Sequence, residues 1–127
     1  MAKCSEVVLD SSMLLGIAEL KVDVFSEIGA LLGRTEFSVT GQVLEEMKML
    51  AGKSGRTGEN AGIALRLLEK NRAKVIAVEA GNADESLVEA ARQGKIVATN
   101  DAELRKKIKS LGGRIIYLRK KKIVKMG

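Results

Sequence analysis

The sequence contains no histidine, no proline and no tryptophan, and it has a single cysteine, Cys4. Without histidine the protein cannot use an imidazole as a general base, and it cannot build a zinc site from cysteine and histidine clusters. A lone cysteine cannot form an internal disulfide, which is typical of a protein in a reducing compartment. We therefore expect a cytoplasmic location.

Long apolar runs are also missing. The first residues lack the apolar stretch of a signal peptide, and no segment approaches the roughly 18 apolar residues of a membrane span, so we expect no membrane partner. The remaining composition is that of an ordinary soluble protein, because 46% of the 127 residues are hydrophobic and 30% are charged. A chain of this length is expected to form one domain.

The formal charge of +6 is unevenly distributed along the chain. Residues 1–104 hold 12 Lys/Arg and 16 Asp/Glu, a net charge of −4, whereas residues 105–127 hold 10 Lys/Arg and no acid, a net charge of +10. A basic end on a mildly acidic body suggests a polyanionic partner such as nucleic acid. A solubilising tail would give the same pattern, since basic termini are common.

Aliphatic segments alternate with amphipathic ones, which predicts strands that alternate with helices. We expect strands at 5–10, 36–39, 74–78, 95–99 and 114–118, and helices at 11–18, 23–32, 41–50, 59–71, 82–93 and 100–111, with a glycine-rich connection at 51–58. Continuous aliphatic strands are typical of a parallel sheet covered on both faces. The sequence therefore predicts an α/β fold, a three-layer α/β/α sandwich with a mostly parallel sheet of about five strands. We expect the domain to occupy residues 1–118, followed by a basic C-terminal extension at 119–127 that either adds a short strand or binds RNA.

Carboxylates follow three of the predicted strands. Asp10 ends the first strand, Asp84 lies just beyond strand 74–78, and Asp101 lies just beyond strand 95–99. The carboxyl ends of parallel strands meet at one edge of the sheet, where such folds place their functional groups. A single acid at such a position has a simpler explanation, because the helix dipole favours acids in the first turn.

The residues around the two later acids suggest that neither acid is needed to cap its helix. Both helices begin with an asparagine that has a glutamate three residues after it, which is the spacing of a capping box: Asn82 with Glu85, and Asn100 with Glu103. If these pairs satisfy the helix starts, Asp84 and Asp101 are surplus to capping. Surplus carboxylates at one edge repel one another, and a metal ion explains them better.

A fourth carboxylate is available in the helix predicted at 41–50. Glu45 and Glu46 fall at different edges of its apolar stripe, so one is expected in solvent and the other at the border of the cleft. The pattern does not decide between them, and a plain surface glutamate is the alternative for either.

Four short motifs occur in the order and spacing of a known family: V-V-L-D-S-S at 7–12, V-L-E-E-M at 43–47, A-D-E-S-L at 83–87 and A-T-N-D-A-E-L at 98–104. On these motifs the sequence resembles the PIN domain, and it is similar to the small stand-alone prokaryotic PIN proteins, especially archaeal ones, that resemble VapC-type toxins. The similarity extends from about residue 5 to residue 118.

The resemblance implies a metal-dependent endoribonuclease that hydrolyses RNA phosphodiester bonds through a metal-activated water. An all-oxygen ligand set favours Mg²⁺ or Mn²⁺ over zinc. The catalytic and metal-binding residues implied by motif position are Asp10, Glu46, Asp84 and Asp101. Possible supporting residues are Ser12, Thr99 and Glu103.

The resemblance also implies partners. These are RNA, a second copy of the chain in a homodimer and, for a toxin, an antitoxin protein; a toxin and an RNA-processing nuclease stay open as alternatives. A third reading is a catalytically inactive PIN-like module that binds RNA or serves as a scaffold. The sequence departs from the family where Gly41 replaces a frequent proline, which leaves the placement of Glu46 less constrained.

Overall fold

The computed structural model describes residues 4–120 and 122–126 of the chain. Six strands form one sheet: β1 Ser5–Leu9, β2 Thr35–Thr40, β3 Lys74–Ile76, β4 Ile96–Ala98, β5 Ile115–Arg119 and β6 Lys122–Met126. Their order is β3-β2-β1-β4-β5-β6, in which β1 to β5 are parallel and β6 is antiparallel to β5.

Six helices connect these strands: α1 Ser11–Leu20, α2 Val24–Leu32, α3 Gly41–Ala51, α4 Gly55–Lys70, α5 Ala83–Arg92 and α6 Ala102–Ser110. Helices α1 to α4 lead from β1 outward to β2 and β3, whereas α5 and α6 lead to β4 and β5 on the other side of β1. Right-handed crossovers place these two sets on opposite faces of the sheet. The predicted α/β class with a mostly parallel sheet is confirmed.

The interior is built from the aliphatic strands and the apolar faces of the first helices. Val7, Val8 and Leu9 of β1 are fully buried because this strand is central and covered on both faces. Each such side chain contributes roughly 1.5–3 kcal/mol on burial. Among the described residues, no helix is long and apolar enough to cross a bilayer.

The sheet has six strands, whereas about five were expected. The additional strand, β6, lies within the basic extension at 119–127, where Arg119 pairs with Lys122 across a short connection. Lys120 in this connection has a positive φ of 50°, which a tight hairpin turn requires. In the sequence, lysines flank the β-branched residues Ile123 and Val124, so the strand pattern is easily missed. Charged residues beside β-branched ones suit an edge strand.

The glycine-rich connection is shorter than the predicted 51–58, because α3 ends at Ala51 and α4 already begins at Gly55. The first turn of α4 packs against the chain that precedes it. A Cβ on Gly58 would lie 1.8 Å from the Lys53 carbonyl oxygen, so only glycine permits this approach. The glycines therefore build a close turn between two helices.

Candidate active site

The ends of β1 and β4 lie side by side at the centre of the sheet, where the strand order reverses. Leu9 pairs with Ala98, and the Asp10 amide continues the ladder by donating to the Ala98 carbonyl at 2.9 Å. In doubly wound sheets this reversal opens a crevice between the helices that follow the two strands. Asp10 and Asp101 are the N-cap residues of those helices, α1 and α6.

Asp10 is buried, with 4% of its surface exposed, and its carboxylate accepts hydrogen bonds from the start of α1 and from the residue that follows β4. The Ser11 amide donates to Oδ1 at 2.7 Å, and the hydroxyls of Ser12 and Thr99 donate to Oδ2 at 2.9 Å and 2.6 Å. A buried carboxylate is costly unless such bonds replace its hydration. The position of Asp10 is therefore fixed by the fold.

The same two hydroxyls connect Asp10 to the start of α6. Thr99 Oγ1 accepts from the Asp101 amide at 3.1 Å, and Ser12 Oγ accepts from the Asn100 amide at 3.1 Å. The two hydroxyl oxygens are themselves 3.3 Å apart. Ser12 and Thr99 thus form a network that sets the spacing between the end of β1 and the turn that carries Asp101.

Asp101 itself caps α6, contrary to the sequence-based expectation that Asn100 would do so. Its Oδ1 accepts from the amides of Glu103 at 2.9 Å and Leu104 at 3.3 Å. Asn100 is unavailable because its Oδ1 accepts from the Leu118 amide at 3.0 Å and so joins the turn to β5. The expectation that Asp101 is surplus to capping was therefore wrong.

The cap at α5 follows the prediction more closely. Asn82 Oδ1 accepts from the Glu85 amide at 2.8 Å, and the Glu85 carboxylate reaches back to the Gly81 amide at 3.0 Å rather than to that of Asn82. Asp84, in the first turn of α5, is not the residue that caps this helix. Its carboxylate remains available to the cleft.

Asp84 is exposed, yet its pKa is raised above the usual value for an aspartate. Partial burial is the largest cause, followed by the negative charges of Asp10 and Asp101, whereas the positive charge of Lys107 acts in the opposite direction. Like charges disfavour ionisation only when they are near one another. The negative charges of Asp10 and Asp101 therefore reach Asp84 across the crevice.

Glu46, the fourth predicted acid, borders the same region from α3. It lines an open cleft of about 410 Å³ together with Asp84 and Lys107. Its Oε1 atom is buried and has no hydrogen-bond partner among the residues that the structure describes. An orphaned buried carboxylate oxygen costs free energy, so it marks a position where a ligand is expected.

Glu45 and Glu103 occupy different places. Glu45 is exposed and lines a separate cleft beside Gln42 and Val78, so the choice left open by the helical pattern falls on Glu46. Glu103 is exposed in the first turn of α6 and lines a further cleft that it shares with Asp84. Glu103 thus lies at the edge of the acidic region.

The start of α3, which carries Glu46, is anchored although Gly41 replaces the frequent proline. Thr40 Oγ1 accepts from the Val43 amide at 3.1 Å and lies 2.8 Å from Ser86 Oγ of α5. Gln42 Nε2 donates to the Val78 carbonyl at 2.7 Å. The Thr40–Ser86 contact joins the start of α3 to α5, and the Gln42 bond joins α3 to the chain that follows β3. The helices that carry Glu46 and Asp84 are therefore held together.

A family model described as a PIN-like domain matches residues 7–121 of the chain. The chain belongs to the PIN-like domain family. Among curated proteins, this PIN-like chain is 34% identical over 119 residues to Ribonuclease VapC9 of Archaeoglobus fulgidus, an alignment that covers 92% of this chain and 85% of that protein.

Solved structures agree with the PIN-like assignment. The structure of the PIN domain endonuclease Utp24 matches with a TM-score of 0.79 and 25% identity, covering 94% of this chain and 90% of that one. VapBC2 from Rickettsia felis, solved bound to a DNA fragment from its promoter, matches with a TM-score of 0.60 and 15% identity, covering 80% of this chain and 92% of that one. Because its identity is only 15%, the second match supports the fold and nothing more.

The carboxylates of this PIN-like site are of the type that binds a hard divalent cation, but they are spread over the crevice rather than gathered in one ligand set. No group of three or more acids in residues 4–120 and 122–126 is close enough to hold an ion as it stands. The donors are nevertheless carboxylate oxygens, which Mg²⁺ and Mn²⁺ prefer. The unpartnered Glu46 oxygen is the atom in the described site that most needs such a ligand.

Sequence reasoning overlooked Lys107, which was counted only within the basic segment. It lies in α6 and faces the acidic clefts at Glu46, Asp84 and Glu103. A signal was available, because Lys107 follows Glu103 by four residues and so shares its helix face. Thr40 and Ser86, which join α3 to α5, carried no comparable signal because their pairing depends on the tertiary fold.

Proposed function

We propose that the protein is a metal-dependent endoribonuclease that hydrolyses RNA phosphodiester bonds. The observation that supports this most is the buried, unpartnered carboxylate oxygen of Glu46, which lies in a cleft that Asp84 also lines. The name of the similar VapC9, a ribonuclease, and that of Utp24, an endonuclease, point to the same chemistry.

Asp10, Glu46, Asp84 and Asp101 are the residues that would hold Mg²⁺ or Mn²⁺. Four carboxylates bring up to four negative charges to one crevice, and a divalent cation offsets that charge. When bound, the metal supplies a water of lowered pKa and stabilises the charge that develops on the phosphate. The raised pKa of Asp84, caused by burial and then by Asp10 and Asp101, reflects the repulsion that the cation would relieve.

The chain's own residues hold the catalytic carboxylates in place. The hydroxyls of Ser12 and Thr99 fix Asp10, and the cap that Asp101 makes on α6 fixes its carboxylate relative to Asp10. Holding groups in place before the reaction avoids the cost of ordering them in the transition state. The chain has no histidine, so a two-histidine route through a cyclic phosphate is unavailable. We expect products with a 5′-phosphate and a 3′-hydroxyl.

The test is cleavage of end-labelled single-stranded and structured RNAs in Mn²⁺, in Mg²⁺ and in EDTA. We expect wild-type cleavage that requires the metal and is lost in the Asp10→Asn, Asp101→Asn double variant. The matched control is Asp23→Asn, which alters an aspartate that caps α2 outside the crevice. RNA binding without cleavage, equal in the wild type and the double variant, would support the inactive RNA-binding or scaffold module instead.

We further propose an antitoxin partner and a homodimeric state. The antitoxin is suggested by the VapC name of the curated relative, since the resemblance to VapC-type toxins implies such a partner. Inhibition of cleavage by the product of an adjacent short reading frame would support a toxin, and its absence an RNA-processing nuclease. Light scattering that gives the 13.6 kDa monomer would refute the homodimer.

A further inference from the structure

Lys107 is a cation surrounded by the carboxylates of the crevice. It lines the cleft that contains Glu46 and Asp84, the neighbouring cleft that contains Glu103, and a third beside α5 that contains Glu85. Its side chain thus lies where three acidic clefts meet, on the side of the crevice formed by α5 and α6.

The charge of Lys107 is not committed to one acid. Within residues 4–120 and 122–126 no ion pair of 4.0 Å or less includes it, although Glu103 lies one helical turn before it. The ammonium therefore borders the acidic clefts while remaining available to another anion.

Of the other basic residues of α6, Lys106 shares with Lys107 only the cleft of Asp84 and Glu103, whereas Arg105 and Lys109 differ from Lys107 more clearly. The Cζ atom of Arg105 lies 4.1 Å from the centroid of the Tyr117 ring, so Arg105 packs against β5. Lys109 lines a separate cleft with Arg105 and Ile115, away from the acids. Lys109 therefore provides a control with the same charge, on the same helix, outside the acidic clefts.

An RNA backbone that approaches four carboxylates meets repulsion before it reaches the site. A cation at the mouth of the crevice lowers this barrier, and the long side chain of a lysine can follow a phosphate as it arrives. We propose that Lys107 binds a phosphate of the RNA beside the one that is cleaved, on the α5–α6 side of the site. This proposal rests on the proposed ribonuclease function, because it names the group that holds the substrate.

The experiment compares Lys107→Gln, Lys107→Arg and Lys109→Gln by direct binding of a short single-stranded RNA in EDTA and in Ca²⁺. We expect Lys107→Gln to weaken binding about tenfold, as for the loss of a charged hydrogen bond. The slope of log affinity against log salt should fall by about 0.7, the value for one phosphate contact on a single strand. Lys107→Arg should restore most of the affinity, and Lys109→Gln should change it less than threefold.

A second arm identifies the contact itself. A set of RNAs, each with one neutral methylphosphonate linkage, is bound to the wild type and to both glutamine variants. We expect one linkage position to weaken the wild type and Lys109→Gln but to have no further effect on Lys107→Gln. Equal sensitivity of all three proteins at every linkage would overturn the proposal.

Cleavage of the unmodified RNA by the same preparations separates the two proposals. Metal-dependent cleavage without coupling between Lys107 and any linkage would retain the ribonuclease and refute the role of Lys107. Coupling without cleavage would retain the phosphate contact and refute the ribonuclease. A wild type that neither binds nor cleaves RNA would refute both.

Discussion

The four carboxylates of the candidate site fall into two pairs that are held in different ways. Asp10 and Asp101 follow β1 and β4, accept hydrogen bonds from backbone amides at helix starts, and are joined through Thr99. Glu46 and Asp84 lie on α3 and α5, where one has an unpartnered buried oxygen and the other a raised pKa caused first by burial and then by like charge. Hydrogen bonds within the fold satisfy the first pair, whereas the carboxylates of the second pair are not both held in this way by the residues that the structure describes.

The two pairs would therefore contribute differently to the proposed site, the first to the positions of the ligands and the second to the affinity for a cation. In the proposed site, the hydrogen-bonded pair would need no ordering when a cation or substrate arrives and would set the geometry. In the other pair, the unsatisfied buried oxygen of Glu46 carries a cost of about 1–3 kcal/mol in the free protein, which a cation would recover on binding in the proposed site. We call the first pair the fixed pair and the second the open pair.

The largest expected effect comes from removing one charge from either pair. Asp10→Asn in the fixed pair and Glu46→Gln in the open pair should each lower the single-turnover cleavage rate about 10²–10³-fold, since each removes a proposed metal ligand. Thermal unfolding should separate them, because Asp10→Asn disturbs a hydrogen-bonded group and is expected to destabilise the protein. Glu46→Gln removes an uncompensated charge and is expected to leave the stability equal or higher. The same stability loss in both variants would contradict the distinction between the pairs.

The next largest effect concerns the hydroxyl that joins the fixed pair. Thr99→Val keeps the shape but removes the donor to Asp10 and the acceptor for the Asp101 amide, both in a fully buried position. We expect a loss of about 2 kcal/mol in the free energy of unfolding, measured in urea, because the buried Asp10 carboxylate loses one donor and the partly buried Asp101 amide loses its acceptor.

Thr99→Ser is the matched control for this substitution, because it keeps the hydroxyl and removes only a methyl group. It should retain the hydrogen bonds and most of the cleavage rate. Equal losses in the serine and valine variants would mean that packing of the methyl group, rather than the hydroxyl network, holds Asp10 and Asp101 in place.

The fixed pair shows which features of the site local sequence patterns can predict. Strand ends and the order of helices and strands follow from local patterns, so the meeting of Asp10 and Asp101 at one edge could be predicted before the structure. The cap of α6 could not, because Asn100 and Asp101 both suit the role. A contact 18 residues away, between Asn100 and the Leu118 amide, decides in favour of Asp101.

The open pair and its surroundings were harder to predict. A helical pattern places Glu45 and Glu46 at different edges, but the cleft that distinguishes them is formed by α5, which is remote in sequence. The strand β6 was left open for a related reason, since lysines at an exposed edge read as a tail. In both cases a long-range contact supplies the information that the local pattern lacks.

A smaller effect on stability is expected at Asp23, which caps α2. Because Asp23 lies outside the site, its variants test capping without changing a proposed metal ligand. Its pKa is lowered first by the Ser26 amide and then by the Ser26 hydroxyl. An acid with a lowered pKa in the folded state stabilises the protein above its unfolded pKa, and this stability is lost as the pH falls through the folded pKa. Asp23→Ala should cost about 1 kcal/mol at pH 7.

The pH dependence distinguishes the charge of Asp23 from its capping role. The difference in stability between Asp23→Ala and the wild type, measured by urea unfolding, should shrink as the pH is lowered from about 5 to below about 3.9, the ordinary pKa of an aspartate. Asp23→Asn retains a capping oxygen and should cost only a few tenths of a kcal/mol at pH 7. Cleavage by both variants should equal that of the wild type, and a loss of cleavage would show that capping alone affects the site.

The smallest effect in the free protein belongs to Asp84 of the open pair, and its sign is opposite. A carboxyl whose pKa is raised on folding binds its proton more tightly in the folded state, so its contribution to stability falls as the pH rises through that range. Asp84→Asn should therefore stabilise the protein at pH 7 in EDTA, by a few tenths of a kcal/mol because the side chain is exposed and screened. In Mn²⁺ the order should reverse, since the wild type gains binding free energy that the variant largely loses. Thermal unfolding of both proteins with and without Mn²⁺ tests this reversal, and an equal Mn²⁺ effect on both would remove Asp84 from the proposed metal site.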